Sequence, residues 1–204
     1  MQRARRLAPA LSDRLRFFRA FLAEPRLVGA VLPTSQRAVR DMLDLADVSG
    51  ARRVVELGAG TGVYTGEILA RLAPGAELLA LEIDASLAGG LGERFADPRL
   101  RVVHGSAEHL DVHLADARAD LIVSGLPFTS LGAGVRGRIL QQARQALTPD
   151  GALLVLQYSP LIKPDLDRAF ASVRWRVSPL NVPPAFLFAC RQPRAAASGG
   201  RSSS

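Results

Sequence analysis

The sequence holds one cysteine, one lysine and one tryptophan in 204 residues, and no apolar run approaches the roughly 20 residues that a membrane-spanning helix needs. A single cysteine excludes an internal disulfide. Cys190 lies in the apolar run FLFAC, which predicts a packed thiol and fits a reducing, cytosolic compartment. The N-terminus has no uncharged apolar segment before a small-residue cleavage site, so a soluble or peripheral chain is expected. The lone lysine, Lys163, is not in a Walker A loop, and no Ser–His–Asp pattern is present. His104, His109 and His113 stand without cysteines or acids at metal-ligand spacing, so they read as surface or loop histidines and no metal is expected.

An apolar fraction of 48% over this length is enough for one globular domain. The net charge of +7 is unevenly spread. Residues 1 to 40 carry nine arginines against Asp13 and Glu24, while the 17 basic and 17 acidic residues beyond them cancel. Such an arm favours a polyanionic surface, nucleic acid or anionic membrane. From residue 11 to 23, Leu11, Leu15, Phe18 and Leu22 share a helical stripe with Phe17 and Phe21 beside it and Arg16 and Arg19 opposite, so a basic amphipathic helix is expected. Thr34 or Ser35 then caps a second helix with Val39, Met42, Leu43 and Ala46 inward.

The texture next alternates between short apolar runs and helical stretches. Strands are expected at Arg53 to Leu57, Glu77 to Glu82, Leu100 to Val103, Asp120 to Ser124 and Ala152 to Gln157, with helices between them. This repeated βα pattern predicts a parallel sheet covered on both faces. Val173 to Ser178, containing a packed Trp175, and Ala185 to Arg191 are joined only by PLNVPP, which predicts an antiparallel pair closing the sheet. The expected organisation is an extension over 1–33, a domain over 34–192 and a low-complexity, disordered tail over 193–204.

The run VVELGAGTG places three alternating glycines, Gly58, Gly60 and Gly62, between a strand and a helix. Glycine permits the sharp turn and close ligand approach, and the N–H groups at the helix start favour oxygen-rich ligands. Val63 stands where the dinucleotide fingerprint needs its third glycine, which disfavours NAD. Glu82 ends the next strand, where a carboxylate can accept hydrogen bonds from a ribose diol. A nucleotide-type ligand is implied.

With VVELGAGTG, ALEID, VVHGSAEHL and SGLPF in this order, the sequence resembles the class I S-adenosylmethionine-dependent methyltransferases from about Thr34 to Arg191. The resemblance implies a Rossmann-like α/β fold with a mostly parallel seven-stranded sheet, and S-adenosylmethionine as cofactor. It further implies that Gly58, Gly60 and Gly62 cradle the methionine part, that Glu56 faces its amino group and that Glu82 holds the ribose. Ser106 and Ala107 would then meet adenine, although many members have aspartate at the position of Ser106. Ser124, at the end of the fourth strand, belongs with the cofactor, and Leu126, Pro127 and Phe128 line the acceptor pocket.

Methyltransferases acting on planar amines usually carry Asn or Asp where this sequence has Ser124-Gly125. The rRNA adenine dimethyltransferases share a Leu-Pro-aromatic turn, but they would carry a helical RNA-contacting domain after the closing strands. FFRAFLAEPRLVGAVLPTS, SGLPF, LQYSPL and NVPPAFLF together resemble the bacterial phospholipid N-methyltransferases, which methylate phosphatidylethanolamine. That resemblance implies a headgroup amine as acceptor and Tyr158 as an acceptor-site residue, sharing a methylated cation with Phe128. It also implies an anionic membrane as partner through residues 11–23, and a cytoplasmic chain peripheral to the inner face of the membrane. RNA and small molecules remain alternative acceptors, as does a non-catalytic binding module. Oligomeric state and the number of methyl groups are left open.

Overall fold

A computed structural model describes residues 35–179 and 184–193. The expected amphipathic helix at residues 11–23, the rest of the 1–33 extension and the tail from 194 lie outside the described residues.

Helix α1 (Gln36–Leu43) starts where the hydroxyl of Ser35 accepts from the Ala38 N–H at 3.2 Å, and it buries Ala38, Val39, Met42 and Leu43. Then come β1 (Arg53–Leu57), α2 (Val63–Leu69), β2 (Glu77–Glu82), α3 (Ala85–Arg94), β3 (Leu100–His104) and α4 (Leu110–Leu114). They are followed by β4 (Ala119–Ser124), α5 (Ala133–Ala146), β5 (Leu147–Gln157), α6 (Lys163–Ala169), β6 (Phe170–Ser178) and β7 (Ala185–Pro193). The seven strands form one sheet in the order β3-β2-β1-β4-β5-β7-β6, the first five parallel and β7 antiparallel to both neighbours.

The central strands hold the site because they are buried on both faces. Val54, Val55, Leu57, Ile122, Val123, Leu153, Leu154 and Val155 are fully buried, and each such side chain contributes about 1.5–3 kcal/mol by leaving water. Alternate residues feed opposite cores: Val55, Leu57 and Ile122 pack with α4, α5 and α6, whereas Val54, Leu121 and Val123 pack with α1 and α2. Strand order reverses between β1 and β4. Their carboxyl ends therefore open the crevice where ligands bind in such sheets.

β4 starts one residue earlier than expected, at Ala119, and two further strands start several residues earlier. β5 begins at Leu147 because the segment through Pro149 and Gly151 stays on the sheet past a register shift opposite Ala119 and Leu121. β6 begins at Phe170, which pairs with Pro193, so β7 also runs past Arg191 and takes the first residue assigned to the tail. Trp175 is not enclosed: it is 49% exposed, with its ring centroid 6.0 Å from Phe186 and 6.5 Å from Phe188. Among the described residues no helix is long and apolar enough to cross a membrane.

Cys190 is fully buried, and burial, with a smaller contribution from Asp167, pushes its thiol up to about 12. Alkylating reagents at pH 8 should therefore leave Cys190 unmodified until denaturant unfolds the chain. Rapid labelling of the native protein, followed by mass spectrometry, would contradict this packing.

Candidate active site

The glycine turn follows directly from β1. Gly58, Gly60 and Gly62 have φ of 76°, 55° and 86°, a region that costs other residues about 1–2 kcal/mol each. Packing explains two of them. A Cβ on Gly58 would lie 2.6 Å from the Leu126 side chain, and one on Gly62 would lie 2.5 Å from Phe95 and 2.8 Å from Leu91. Gly60 is different, because a Cβ there would meet nothing within 4 Å. Its backbone borders open space, the property a ligand cradle requires.

Glu82 fastens this turn to the end of β2. Its Oε2 accepts from the Gly60 N–H at 2.7 Å and its Oε1 from the Asp84 N–H at 2.9 Å, with the side chain 2% exposed. A carboxylate has roughly four acceptor sites, so two remain for a diol. Arg94 braces the far side: its guanidinium donates to the Thr61 carbonyl at 2.7 Å and lies over the Phe95 ring.

Glu56 is fully buried. The Thr65 hydroxyl donates to its Oε2 at 2.7 Å, while Oε1 has no hydrogen-bond partner. Burial raises its carboxyl to about 7; the Thr65 hydrogen bond opposes the shift and the charge of Glu82 adds to it. An unpaired buried oxygen of this kind suits a cationic amine. The orphaned Oε1 and the open Gly60 cradle together fit the amino-acid end of S-adenosylmethionine.

On the adenine side, the Ser106 hydroxyl accepts from the Glu108 N–H at 3.2 Å and caps a short 3-10 turn, Ala107–His109. Ser106 is half-buried and Ala107 packs into the core. Their turn follows β3, whose His104 pairs with Glu82, so it stands beside the ribose-side acid. His104, His109 and His113 do not converge, and no group able to hold a metal ion is found among the described residues.

The acceptor turn after β4 packs onto the glycine turn. The Gly125 N–H donates to the Leu57 carbonyl at 3.0 Å, and a Cβ on Gly125 would lie 3.0 Å from the Gly58 oxygen and 3.3 Å from the Tyr64 ring. A side chain there would be tight, needing its neighbours to give by a few tenths of an ångström. Ser124 is fully buried, its hydroxyl accepting from the Leu126 N–H at 3.3 Å. The Leu126 carbonyl accepts from Gln157 Nε2 at 2.8 Å and from the Phe128 N–H at 2.9 Å, and the Pro127 carbonyl accepts from the Ser130 N–H at 2.9 Å. Arg136 donates to the Leu131 and Phe128 carbonyls, at 3.0 and 3.4 Å, and pairs with Asp165 at 2.6 Å. Each of these carbonyls is thus engaged by the protein.

Glu56, Thr65, the three glycines and Glu82 are therefore brought together, and Ser124 and Leu126 join them at the neighbouring strand end. Phe128 is not paired with Tyr158. Its ring is fully buried in the core on the α5 side, whereas Tyr158 packs, half-buried, against the opposite core together with Tyr64. Thr65, Tyr64, Arg136 and Gln157 had no sequence signal of their own. Only the helical position of Thr65, at the first turn after the glycines, points toward the site.

Fold and site define a class I S-adenosylmethionine-dependent methyltransferase, and the comparisons agree. A family model described as "Methyltransferase domain" matches residues 54–151. The chain is 31% identical over 186 residues to the ornithine lipid N-methyltransferase of Singulisphaera acidiphila, covering 89% of this chain and 97% of that one. It is 32% identical over 123 residues to a ribosomal RNA small subunit methyltransferase A of a Synechococcus strain, covering 59% of this chain but only 43% of that protein. The N-methyltransferase NodS from Bradyrhizobium japonicum, solved with S-adenosylhomocysteine, shares the fold at a TM-score of 0.68 with 13% identity, over 87% of this chain and 98% of NodS. The chain belongs to the S-adenosylmethionine-dependent methyltransferase family of which the Singulisphaera enzyme is a member. S-adenosylmethionine is its cofactor.

The glycines separate binding from folding. Gly60→Val should cost the fold only about 2 kcal/mol, from φ alone, yet weaken S-adenosylhomocysteine binding at least about tenfold by calorimetry. Gly62→Ala, driven against Phe95 and Leu91, should instead lose about 2–4 kcal/mol of stability in denaturant titration. Unchanged affinity in Gly60→Val would remove Gly60 from the cradle.

The raised Glu56 carboxyl fixes a pH dependence. The native state holds this proton up to about 7 and the unfolded chain releases it near 4.5, so its contribution favours the fold at pH 5 and is lost as pH rises through 7, about 3 kcal/mol in all. Glu56→Gln should therefore gain stability relative to the wild type between pH 5 and pH 8 in the cofactor-free protein. A pH-independent difference would show that Glu56 is not buried in this way.

Proposed function

We propose that this methyltransferase transfers methyl groups to the headgroup amine of a membrane lipid, with phosphatidylethanolamine converted towards phosphatidylcholine. The observation that carries the reading is the acceptor turn. Its carbonyls already accept hydrogen bonds from the protein, and Gly125 supplies no side chain in a spot where a Cβ would be tightly packed. Recognition of a planar amine by a polar side chain and a free carbonyl is therefore disfavoured. An aliphatic amine needs only shape, dryness and access.

When bound, S-adenosylmethionine supplies a methyl group on an electron-poor sulfonium. The residues of this chain prepare the amine for it. An aliphatic ammonium, with a pKa of about 10, must release its proton to water before its lone pair can attack. The apolar turn at Leu126 and Pro127, backed by buried Phe128, excludes water and favours the neutral form. Glu56, Gly58, Gly60, Gly62 and Glu82 hold the cofactor, Ser106 and Ala107 border its adenine, and Ser124 sets the end of β4. Tyr158 offers its ring to the methylated, cationic product.

The basic segment 11–23 is assigned to an anionic bilayer, its aromatics at the acyl boundary and its arginines at the headgroups, so that the chain works at the inner face of the membrane. A second acceptor is favoured by one finding, the likeness to an ornithine lipid N-methyltransferase, because that name also denotes N-methylation of a lipid.

The test is transfer of labelled methyl from S-adenosylmethionine to anionic vesicles containing phosphatidylethanolamine or ornithine lipid, with structured RNA as a parallel acceptor. Label should enter phosphatidylethanolamine, and Tyr158→Ala should slow the later methylations about 2- to 30-fold, the range of one cation–π contact. Label only in ornithine lipid would replace the acceptor but keep the class. Label in RNA would overturn the lipid reading.

A further inference from the structure

Among the described residues Glu56 has no cationic partner, although it is fully buried. It alternates with Val55 and Leu57 along β1, so it shares the face of Val54, which packs with Tyr64 and Ile68 of α2 and with α1. Its row neighbours are Ala80 of β2 and Val123 of β4, neither of which titrates. The Thr65 hydroxyl donates to Oε2 at 2.7 Å, and Oε1 has no partner.

The charged groups of the surrounding elements do not compensate it. β2 contributes Glu82, a second acid whose charge acts against that of Glu56. On α2 the phenol of Tyr64 packs in the same core, and Glu67 is bound to Arg40 of α1 at 2.9 Å. Of the remaining charges on and beside α1, Arg37 is exposed, Asp41 accepts from the Ser178 hydroxyl, and Asp44 is bound by Arg71 at 3.1 Å. β4 adds only the neutral Ser124 at its end.

A carboxylate taken out of water needs several donors or a counter-charge, whereas a neutral carboxyl needs less. Burial, opposed by the Thr65 hydroxyl and aided by the charge of Glu82, accordingly lifts the Glu56 carboxyl to about 7. An ammonium against Oε1 reverses the balance, because it supplies the missing donor and the missing charge together. Glu56 and Thr65 flank the glycine turn, and the amino-acid end of S-adenosylmethionine carries such an ammonium.

We propose that Glu56 is a neutral acid in the cofactor-free enzyme and gives up its proton to water when the ammonium of a bound cofactor comes against Oε1. One carboxylic acid and one ammonium become one carboxylate–ammonium pair and one released proton. Cofactor capture is thereby coupled to pH, and Glu56 selects for the amino-acid end, since a ligand without an ammonium leaves the acid protonated. The inference rests on the placement of that end at the Gly60 cradle and is independent of the methyl acceptor.

Calorimetry on the full-length protein tests it with S-adenosylhomocysteine, which carries the same ammonium. At pH 6, titrations in buffers of different ionisation enthalpy should show about one proton released per ligand bound, and affinity should rise about tenfold from pH 6 to pH 8. Glu56→Gln should bind more weakly and without a linked proton. Thr65→Val, which strips Oε2 of its hydroxyl donor, should move the rise in affinity to higher pH. A flat affinity and no released proton in the wild type would overturn the proposal while leaving the cofactor site in place. Release of the same proton with 5′-methylthioadenosine, which has the ribose and adenine but no amino-acid end, or its persistence in Glu56→Gln, would assign the proton to another group and overturn the proposal as well.

Discussion

The site depends on two turns that meet at close quarters, glycine against glycine. β1 and β4 are adjacent and parallel, so the chain leaving each must turn off the sheet at the same level within one strand spacing. The Gly125 N–H binds the Leu57 carbonyl, the bare Cα of Gly58 lies under Leu126, and that of Gly125 faces the Gly58 oxygen and the Tyr64 ring. On the proposed reading, placing the cofactor turn against the turn after β4 brings a bound methyl group and an incoming amine within reach of each other. A larger residue at either position would separate the reacting groups as well as strain the backbone.

Electrostatics adds a second constraint on the same few residues. Glu82 is buried but accepts from the N–H groups of Gly60 and Asp84, so half of its acceptor capacity holds the loop. Glu56 has one hydroxyl donor and an unpaired oxygen, and burial raises its carboxyl toward neutrality. The asymmetry separates two tasks. One acid ties the glycine turn to β2, and the other keeps an unsatisfied oxygen whose burial costs stability as pH rises from about 4.5 to about 7.

Much of this was legible in the sequence where the cause is local. Apolar runs bounded by turn residues marked the seven strands, Ser35 announced a helix start, and the alternating glycines of GAGTG with Glu82 beyond them located the cofactor site. What was missed depends on residues far apart in the chain. Nothing in the sequence pairs Gln157 with the Leu126 carbonyl 31 residues away, or Arg136 of α5 with the turn and with Asp165 of α6, because those contacts are made by tertiary packing. The resemblance places Phe128 in the lining of the acceptor pocket, yet the turn's 3-10 geometry directs its ring into the core. Trp175 was read as packed because strand tryptophans usually are. Its strand is the sheet edge, and edge position is a property of topology that periodicity does not carry.

The acceptor turn connects these observations to the chemistry. A carbonyl already bound by Gln157 or Ser130 is a weaker acceptor for a further donor, and Gly125 removes the side chain that could supply another. What remains at the mouth is hydrocarbon: Leu126 and Pro127, with Phe128 behind them. Such a lining discriminates weakly among neutral amines of similar shape, so on the proposed reading selectivity comes from how the amine is delivered. A lipid headgroup is delivered by its bilayer, which fixes the depth and direction of approach before any contact inside the pocket is made. On the proposed lipid reading the acceptor turn can be almost featureless, because a soluble amine lacking acyl chains would have to pay the full orientational entropy of binding in a pocket that offers it few hydrogen bonds.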